Sequence, residues 1–254
     1  MSKMGLADLH IHTNHSDGWP TPIEVVEHAN AATQLDVIAI TDHDTIEGAL
    51  RAADHAARAS RVKVVVGEEV SSRQGHILGL FLEKGIRPGL SASATIDEIH
   101  SQGGLAIAAH PFWRTAGMAG RLGGSIHGVG WLAAELDFDA VEIDNSTPGL
   151  GFANLLASRL SLAAGRPGIG ASDAHILEAV GKSTTRFRGT SPRALRTAIL
   201  KGAVSVVQSR YEVAALLRYL AWSLNHERVA SVEAQQPGAS AGRTETAVTA
   251  ALGA

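Results

Sequence analysis

The chain alternates short apolar runs with stretches of helical character, and this alternation constrains its fold more than any other feature. Val, Ile, Leu and Ala fill the runs, which have the length and composition of buried strands. We interpret the following runs as strands: Gly5–Ile11, Asp36–Ile40, Val62–Val66, His76–Leu82, Leu105–Ala109, Ala140–Ile143, Gly168–Ala171 and Ala203–Val207.

Helical segments separate several of these strands. They are predicted at Thr21–Thr33, Thr45–Ser60, Ser93–Gln102 and Ser191–Leu200. Strand–helix alternation favours a largely parallel sheet or barrel, because parallel strands need crossover connections. The predicted fold class is therefore α/β.

The pattern changes after residue 210. Apolar residues recur there at helical spacing, at Val213, Leu216, Leu217, Leu220 and Leu224. We predict one domain at 1–210, an amphipathic helix at 211–230 that packs against it, and a flexible tail at 231–254 of small and polar residues. Association of this helix with a second chain or with a membrane surface stays open.

Composition excludes several classes of protein. The formal net charge of −3 offers no long-range attraction for a nucleic-acid duplex or an acidic membrane. Cysteine is absent, which excludes disulfides, thiolate metal sites and a cysteine nucleophile and leaves histidine and carboxylate as the strong metal ligands. The start of the sequence has no apolar signal core, and no apolar run approaches the roughly 18 residues of a membrane span. We expect a cytoplasmic protein.

Polar clusters lie at or just beyond the carboxyl ends of the predicted strands. Active sites of parallel α/β folds gather at that edge. The clusters are Asp8 with His10 and His12, Thr41 to Asp44, Glu68-Glu69, His110-Pro111, Glu142 with Asn145, and Ser172 to His175.

Spacing within two clusters indicates shared metal ions. Residues two apart in a strand point to the same face, so His10 and His12 are able to ligate one ion together, and Asp173 and His175 adjacent ions. A single buried histidine is more often a hydrogen-bonded core residue. Recurrence at every strand end favours metals, because each polar group would otherwise need its own buried partner at a desolvation cost of roughly 2–7 kcal/mol.

These residues together resemble the PHP (polymerase and histidinol phosphatase) family of metal-dependent phosphoesterases, especially its small bacterial members that act on nucleotide and oligonucleotide ends. The resemblance extends over about residues 6 to 210. The matching segments are DLHIHTNHSDG at 8–18, ITDHDT at 40–45, GEEVS at 67–71, GHILGL at 75–80, AHP at 109–111, EIDNS at 142–146 and ASDAH at 171–175.

The resemblance implies a distorted seven-stranded β/α barrel that holds two to three divalent ions of manganese, iron or zinc in a trinuclear centre. It implies one ion on His10, His12, Glu69 and Asp173, a second on Glu69, His76 and His110, and a third on Asp17, His43 and His175. Asp8 resembles the residue that orients a ligand imidazole, and Glu68 is taken as a neighbour only. His15, His28, His55, His100, His127 and His226 are predicted to bind no metal.

Substrate residues are less constrained by the sequence. Arg114 follows the aromatics Phe112 and Trp113 and is a candidate fork for a phosphate, with the aromatics stacking on a base; a surface arginine beside core aromatics is the alternative. Asn145 is a candidate contact to substrate or to a metal-bound water, or a turn residue. A cap-forming insertion that nucleotide-end members carry before the segment at 109–111 is nearly absent, which implies a more open site.

The expected activity is hydrolysis of a phosphate ester on a nucleotide or short oligonucleotide end by a metal-bridging hydroxide. A phosphatase of a small metabolite such as histidinol phosphate, or a non-catalytic metal-binding module, is the alternative. The expected partner is a small phosphorylated substrate, with no duplex nucleic acid and no membrane. Gly181-Lys182-Ser183 is not a P-loop, because Ile176 replaces its first glycine, and Ser172 lacks a nucleophile elbow.

Overall fold

Nine strands form one hydrogen-bonded sheet in the computed structural model, which describes residues 3–113, 127–209 and 211–233. The strands are β1 (Met4–Asp8), β2 (Val37–Ile40), β3 (Lys63–Ser72), β4 (Gly75–Leu80), β5 (Leu105–Ala108), β6 (Ala140–Asn145), β7 (Gly168–Ala171), β8 (Ser183–Arg188) and β9 (Val204–Gln208). The helices are α1 (Pro22–Ala32), α2 (Glu47–Ala59), α3 (Ala92–Ser101), α4 (Leu132–Glu135), α5 (Gly151–Ala164), α6 (Pro192–Leu200) and α7 (Val213–Glu233), with a 3₁₀ turn at Leu177–Ala179.

The sheet closes almost completely into a barrel. Its strand order is β7-β6-β5-β4-β3-β2-β1-β8-β9. A parallel bridge pairs Ile11, just after β1, with Ala174, just after β7, so β1 to β7 form a ring. The α/β barrel that the sequence predicted is confirmed, but the sheet has nine strands rather than seven, because the antiparallel pair β8–β9, whose strands are connected by α6, adds to the outer edge of β1.

One reversed strand distorts the barrel. β4 runs antiparallel to both β3 and β5, whereas β1–β2, β2–β3, β5–β6 and β6–β7 are parallel pairs. The start of β4 therefore lies at the edge where the parallel strands end. This topology places His76, the second residue of β4, beside residues that follow other strands.

The strand β3 is longer than the sequence predicted. Glu68 and Glu69 lie within it rather than beyond its carboxyl end. The regular β2–β3 ladder nevertheless stops at the pair Ile40 and Val66, and only an isolated bridge between His43 and Glu69 follows. Glu69 is therefore already past the edge of the barrel wall, where β3 continues as an arm of the β3–β4 hairpin.

Apolar residues cover both faces of the sheet, which explains the continuous apolar runs in the sequence. In β2, Val37 and Ala39 pack in one buried cluster, whereas Ile38 and Ile40 pack in another beneath the first helices. This alternation is the period of two expected of a strand. The strands β2, β5 and β7 consist of apolar residues and glycine alone, and polar clusters follow their carboxyl ends.

Local capping fixes where several helices begin. Thr21 and Glu24 form a reciprocal capping box at the start of α1, with a proline in its first turn, and Ser191 caps α6. Helix α7 buries Tyr219 and Trp222. Among the described residues, no helix is both long and apolar enough to cross a bilayer. Helix α7 extends to Glu233, beyond the predicted bounds of 211–230, and residues 234–254 of the tail predicted at 231–254 lie outside the described residues.

Candidate metal centre

One oxygen of Glu69 faces three imidazole rings at the carboxyl edge of the barrel. Its Oε2 lies 3.1 Å from Nε2 of His10, 3.2 Å from Nε2 of His12 and 3.3 Å from Nδ1 of His43. Glu69, His10 and His12 are buried, and His43 is half-buried. A single carboxylate oxygen therefore lies at the meeting point of three potential ligand rings.

The other oxygen of Glu69 faces a separate pair of rings. Oε1 lies 2.9 Å from Nδ1 of His76 and 3.0 Å from Nε2 of His110. His76 reaches this position because β4 is reversed, and His110 because it follows β5. The carboxylate therefore spans two sets of imidazoles, as a carboxylate that bridges two cations does.

Asp173 adds a second carboxylate to the set that contains His10, His12 and Glu69. Its Oδ1 lies 3.2 Å from Nε2 of His12 and 3.4 Å from Nε2 of His10. It comes from the segment after β7, which the bridge between Ile11 and Ala174 holds against the segment after β1. His10, His12 and Asp173 therefore form one group of close ligand atoms, and Glu69 lies beside the two imidazoles of that group.

A third set forms around Asp17, in the loop before α1. Its Oδ2 lies 3.2 Å from Nε2 of His175 and 3.8 Å from Nε2 of His43, and its Oδ1 lies 3.4 Å from Nδ1 of His12. His43 thus faces Glu69 with one ring nitrogen and Asp17 with the other. The three sets share rings and carboxylates and form a single cluster.

The donor set fits divalent metal ions by distance. Ions bound to histidine and carboxylate at about 2.0–2.2 Å hold neighbouring ligand atoms about 3.0–3.5 Å apart. Most of the nitrogen–oxygen separations above lie in or close to that range. Among the described residues, four overlapping groups have ligand atoms within 4.8 Å of one another, and together they include all nine predicted ligands and Glu142.

Hydrogen bonding leaves part of the cluster unsatisfied. Nε2 of His12, Nδ1 of His76 and Nδ1 of His110 are buried and have no hydrogen-bond partner in the described chain. The first two lie close to Glu69 oxygens, but not in the alignment that a hydrogen bond requires. Buried polar atoms without partners are rare and costly, so this arrangement favours a cation as the missing partner.

Backbone strain occurs at two of the predicted ligands. His110 has a φ of 24° and Asp173 a φ of 53°, values in the left-handed region that side chains other than glycine rarely adopt. Strain of this kind costs about 1–3 kcal/mol and concentrates at functional sites. Both residues directly follow barrel strands, so the strained backbone sets the direction in which each side chain enters the cluster.

Charges within the cluster shift its pKa values strongly. Burial disfavours the protonated form of His12, but Asp17, Asp173 and Glu69 outweigh burial and raise the pKa of His12 to about 10. Burial alone would raise the pKa of Glu69, yet the surrounding imidazoles hold it well below its ordinary value. Burial lowers the pKa of His43 to about 4. The carboxylates are therefore ionised and surrounded by positive or neutral nitrogen groups.

Glu142, in β6, holds residues of the cluster in place through hydrogen bonds. Its Oε1 lies 3.1 Å from Nδ1 of His10, and its Oε2 accepts hydrogen bonds from the backbone N–H of His110 and the amide of Asn145. Donation from Nδ1 to this carboxylate leaves Nε2 of His10 as the ligand atom. Glu142 was predicted only as a member of a strand-end cluster, and its support of His10 was not predicted.

Asp8 does not occupy the imidazole-orienting position that the resemblance implied. Its carboxylate accepts hydrogen bonds from the backbone and hydroxyl of Ser172 and from the backbone of Gly181 and His10. Burial, opposed by these hydrogen bonds, raises its pKa to about 6. Asp8 therefore ties the segments after β1 and β7 together, and Glu142 takes the position beside an imidazole.

The two predicted substrate residues have different outcomes. Arg114 lies outside the described residues. Asn145 is buried and donates to Asp173 and Glu142, while its side-chain oxygen accepts from the backbone of Thr147. Both amide hydrogens of Asn145 are therefore engaged within the protein. Asn145 supports Asp173 and forms the turn that was predicted as the alternative, so we assign it a supporting role instead of a substrate contact.

Histidines that were predicted to bind no metal lie outside the four groups. This holds for His15, His28, His55, His100 and His127, and the His226 side chain lies outside the described part of the chain. His127 is nevertheless close to the cluster: its ring stacks on Trp113 at 4.8 Å and lies 5.6 Å from the His76 ring, between centroids. His127 belongs to no motif in the sequence, so this position was not predicted.

Comparison with known proteins agrees with this geometry. The family model for the PHP domain matches residues 8–118, and the model described as PHP-associated matches residues 151–204. An uncharacterized protein of Methanocaldococcus jannaschii is 36% identical over 162 residues, which cover 59% of this chain and 88% of that protein. The chain therefore belongs to the PHP family and is a hydrolase of the metal-dependent phosphoesterase class.

Relatives with named activities match over shorter stretches. A 3′,5′-nucleoside bisphosphate phosphatase of Chromobacterium violaceum is 41% identical over 93 residues, 35% of this chain and 32% of that enzyme. A phosphoribosyl 1,2-cyclic phosphate 1,2-diphosphodiesterase of Eggerthella lenta is 39% identical over 104 residues, 38% of each chain. The match thus spans about a third of each of these enzymes.

A solved structure shows the same fold. It is a two-domain protein of Bacteroides vulgatus described as containing a predicted PHP-like metal-dependent phosphoesterase. The TM-score is 0.64 at 18% identity, and the match covers 82% of this chain and 65% of that one. At this identity the likeness supports the barrel architecture alone.

Proposed function

We propose that the cluster binds two to three divalent ions and that the protein hydrolyses a phosphate ester at the end of a nucleotide or short oligonucleotide. The observation that carries the proposal is the position of Glu69, whose two oxygens face different sets of imidazoles. A carboxylate that bridges two ions needs this arrangement. Hydrogen bonds from His10 and His110 do not account for it fully, because Nε2 of His12 and Nδ1 of His76 beside Glu69 have no hydrogen-bond partner.

We assign one ion to each of three sets of side chains. One set is His10, His12, Glu69 and Asp173; a second is Glu69, His76 and His110; a third is Asp17, His43 and His175. Glu69 belongs to the first two sets, and His43 lies between the first and the third. Manganese, iron and zinc all suit imidazole and carboxylate ligands.

Bound divalent ions supply a lowered pKa for an attacking water and a positive charge for the phosphoryl oxygens. The protein residues provide the frame for this chemistry. Glu142 fixes the ring of His10, Asn145 fixes the carboxylate of Asp173, and Asp8 holds the two strand ends together. These supports are buried, so the ligand atoms have little freedom to move.

Aromatic residues beside the second set favour a nucleotide substrate. Trp113 is half-buried, and its ring lies 5.0 Å edge-on from His110 and stacks on His127. Base–aromatic stacking contributes about 1–3 kcal/mol and tolerates any base. Names of relatives agree with this class, because one is a nucleoside bisphosphate phosphatase and another, from Haemophilus influenzae, a 5′-3′ exoribonuclease.

Phosphate release by the metal-reconstituted protein tests the proposal. The substrates are nucleoside 3′,5′-bisphosphates, nucleoside monophosphates, short oligonucleotides and histidinol phosphate. We expect turnover on one nucleotide class and its loss, by at least about 100-fold, in His10→Ala. His100→Ala is the matched control, because His100 contacts Asp139 away from the cluster. Selective turnover of histidinol phosphate would assign a metabolite phosphatase instead, and a metal-loaded protein inert on every substrate would support the binding-module alternative.

A further inference from the structure

The C-terminal helix α7 places one aromatic side chain directly against the third set of ligands. Trp222 is 7% exposed, and its ring centroid lies 4.1 Å from that of His175. Its indole Nε1 donates a hydrogen bond of 2.8 Å to the backbone carbonyl of Asp17. One side chain therefore contacts the ring of one proposed ligand and the backbone of another.

Asp17 is the proposed ligand that most needs such support. It lies on a loop, whereas the other ligands of the cluster lie in strands or follow them closely. Within this loop, Gly18 donates to the carbonyl of Thr13, and Trp19 to the carbonyl of His175. The bond from Trp222 holds the carbonyl of Asp17 itself, and so limits rotation of the loop about the ligand.

The imidazole of His175 is also fixed from two sides. Its Nδ1 lies 3.0 Å from the carbonyl oxygen of Asp173, which leaves Nε2 directed at Asp17, 3.2 Å from Oδ2. The indole of Trp222 covers a face of the same ring at an interplanar angle of 38°. Loss of the indole would free both partners of this pair at once.

Helix α7 is anchored so that it can act as a support. Arg218 pairs with Glu178 of the 3₁₀ turn at 2.7 Å, and the hydroxyl of Tyr219 lies 3.5 Å from that of Thr147, after β6. Tyr219 and Trp222 are both buried against the loops that follow the barrel strands. The helix thus links these loops to the third set of ligands, which consists of Asp17, His43 and His175.

We propose that Trp222 is a positioning residue for the third metal ion and that α7 is therefore part of the metal centre rather than an appendage. This inference rests on the proposed metal centre and concerns ion binding, not the identity of the substrate. The residues that support metal ligands contribute typically about 10–100-fold to metal affinity. An effect of that size is expected for Trp222, confined to one ion of the cluster.

Equilibrium binding of Mn²⁺ alone tests the inference without any substrate. The metal-free full chain is titrated, and bound ions are counted after equilibrium dialysis by elemental analysis. We expect three bound ions in the wild type, and in Trp222→Leu an affinity for one ion that is about 10–100-fold weaker while the other two are unchanged. Trp222→Phe keeps an aromatic face but loses the donor to Asp17, so it should show a smaller loss at the same ion.

Leu220→Ala is the matched control, because Leu220 is on the same helix and is 54% exposed. It should bind all three ions like the wild type. The inference is overturned if both Trp222 variants bind three ions with wild-type affinities, even with a lower melting temperature, because the indole would then serve packing alone. A wild type that binds only two ions would also overturn it, and that result is visible before any variant is made.

Discussion

Two buried carboxylates, Glu69 and Asp144, have opposite surroundings. Asp144, in β6, accepts hydrogen bonds from the side chains of Ser183, Asn154 and Gln208. Glu69 instead accepts hydrogen bonds from two imidazoles, those of His10 and His110, while Nε2 of His12 and Nδ1 of His76 lie close to it and have no hydrogen-bond partner. Asp144 is a completed structural group, whereas the surroundings of Glu69 contain buried nitrogens that still lack a partner.

The comparison teaches how to separate structural from functional polar groups in a barrel core. Burial alone does not separate them, because both carboxylates are less than a tenth exposed. The neighbouring groups do, because two buried nitrogens beside Glu69 have no hydrogen-bond partner, whereas nearly all buried polar groups in proteins have one. The predictions below test the two carboxylates by activity, metal response and stability.

The largest expected effect is on activity. Glu69→Gln removes one negative charge and one ligand atom from the bridging position, so phosphate release should fall by about 1,000-fold or more. Steady-state kinetics of the metal-reconstituted protein measures this loss. Asp144→Asn should keep activity per folded molecule within about twofold, because Asp144 belongs to no group of ligand atoms in the described chain. Equal losses in both variants would remove the distinction between the two carboxylates.

Metal loading should stabilise the folded state. An ion at about 100 times its dissociation constant contributes about 2.7 kcal/mol, and about 1 kcal/mol raises the melting temperature of a chain of this size by roughly 2–4 °C. We therefore expect Mn²⁺ to raise the melting temperature of the metal-free protein by about 5–10 °C. In Glu69→Gln most of this rise should disappear, whereas Asp144→Asn should keep it. Calorimetry with and without a chelator provides the measurement.

Stability without metal should depend on the hydrogen bonds of Asp144. Asp144→Ala removes the acceptor of the Gln208 amide, whereas Ser183 and Asn154 keep backbone acceptors, and the cost should be about 1–3 kcal/mol. Urea unfolding of the metal-free variant measures the free energy of unfolding. A value equal to that of the wild type would contradict the assignment of Asp144 as a completed structural group.

Glu68 is a third carboxylate for this comparison, and it should make the free energy of unfolding depend on pH. Its Oε2 accepts from the backbone of Ile86, its Oε1 has no hydrogen-bond partner in the described chain, and burial raises its pKa to about 7. Because the folded state binds this proton more tightly than the unfolded state, Glu68 should lower the free energy of unfolding as pH rises from about 4.5 to about 7.

Glu68→Gln should remove that decline. Urea unfolding of the metal-free proteins measures the free energy of unfolding at about pH 5 and at about pH 8. Between these pH values the free energy of unfolding of the wild type should fall by about 1–3 kcal/mol more than that of the variant. Glu98→Gln, an exposed change on α3, is the control and should follow the wild type. Parallel pH profiles for wild type and Glu68→Gln would show that this carboxylate carries no raised pKa.

The sequence predicted those features of the site that depend on the spacing of residues close together in the chain. His10 and His12 are two apart, and the strand end that carries them was identified from the apolar run before it. Contacts between distant segments were not predicted: His10 and Glu142 are 132 positions apart, and Ser172 meets Asp8 across 164. Only the closed barrel brings these pairs together, so the supports of the ligands had no signal in the local pattern.

The predicted elements do not include the helices α4 and α5 and the strand β8. Helix α4 has only four residues, and α5 has exposed apolar residues such as Leu155 and Leu162, so its sequence lacks the apolar stripe that marks a surface helix. Strand β8 begins directly after Gly181-Lys182, and its residues are mostly polar, so no apolar run indicates a strand there. Its pairing with β1 and β9 decides its structure, because tertiary contacts override strand propensity.

The most direct test of the central claim is anomalous diffraction from crystals of the protein equilibrated with Mn²⁺ or Zn²⁺. The account predicts two to three anomalous peaks within about 2.0–2.3 Å of the ligand atoms. Two of these peaks should lie on either side of Glu69, and a third beside Asp17 and His175. Crystals that show no peak at Glu69 at saturating metal would contradict the account, because the buried nitrogens of His12 and His76 beside Glu69 would then remain without a partner.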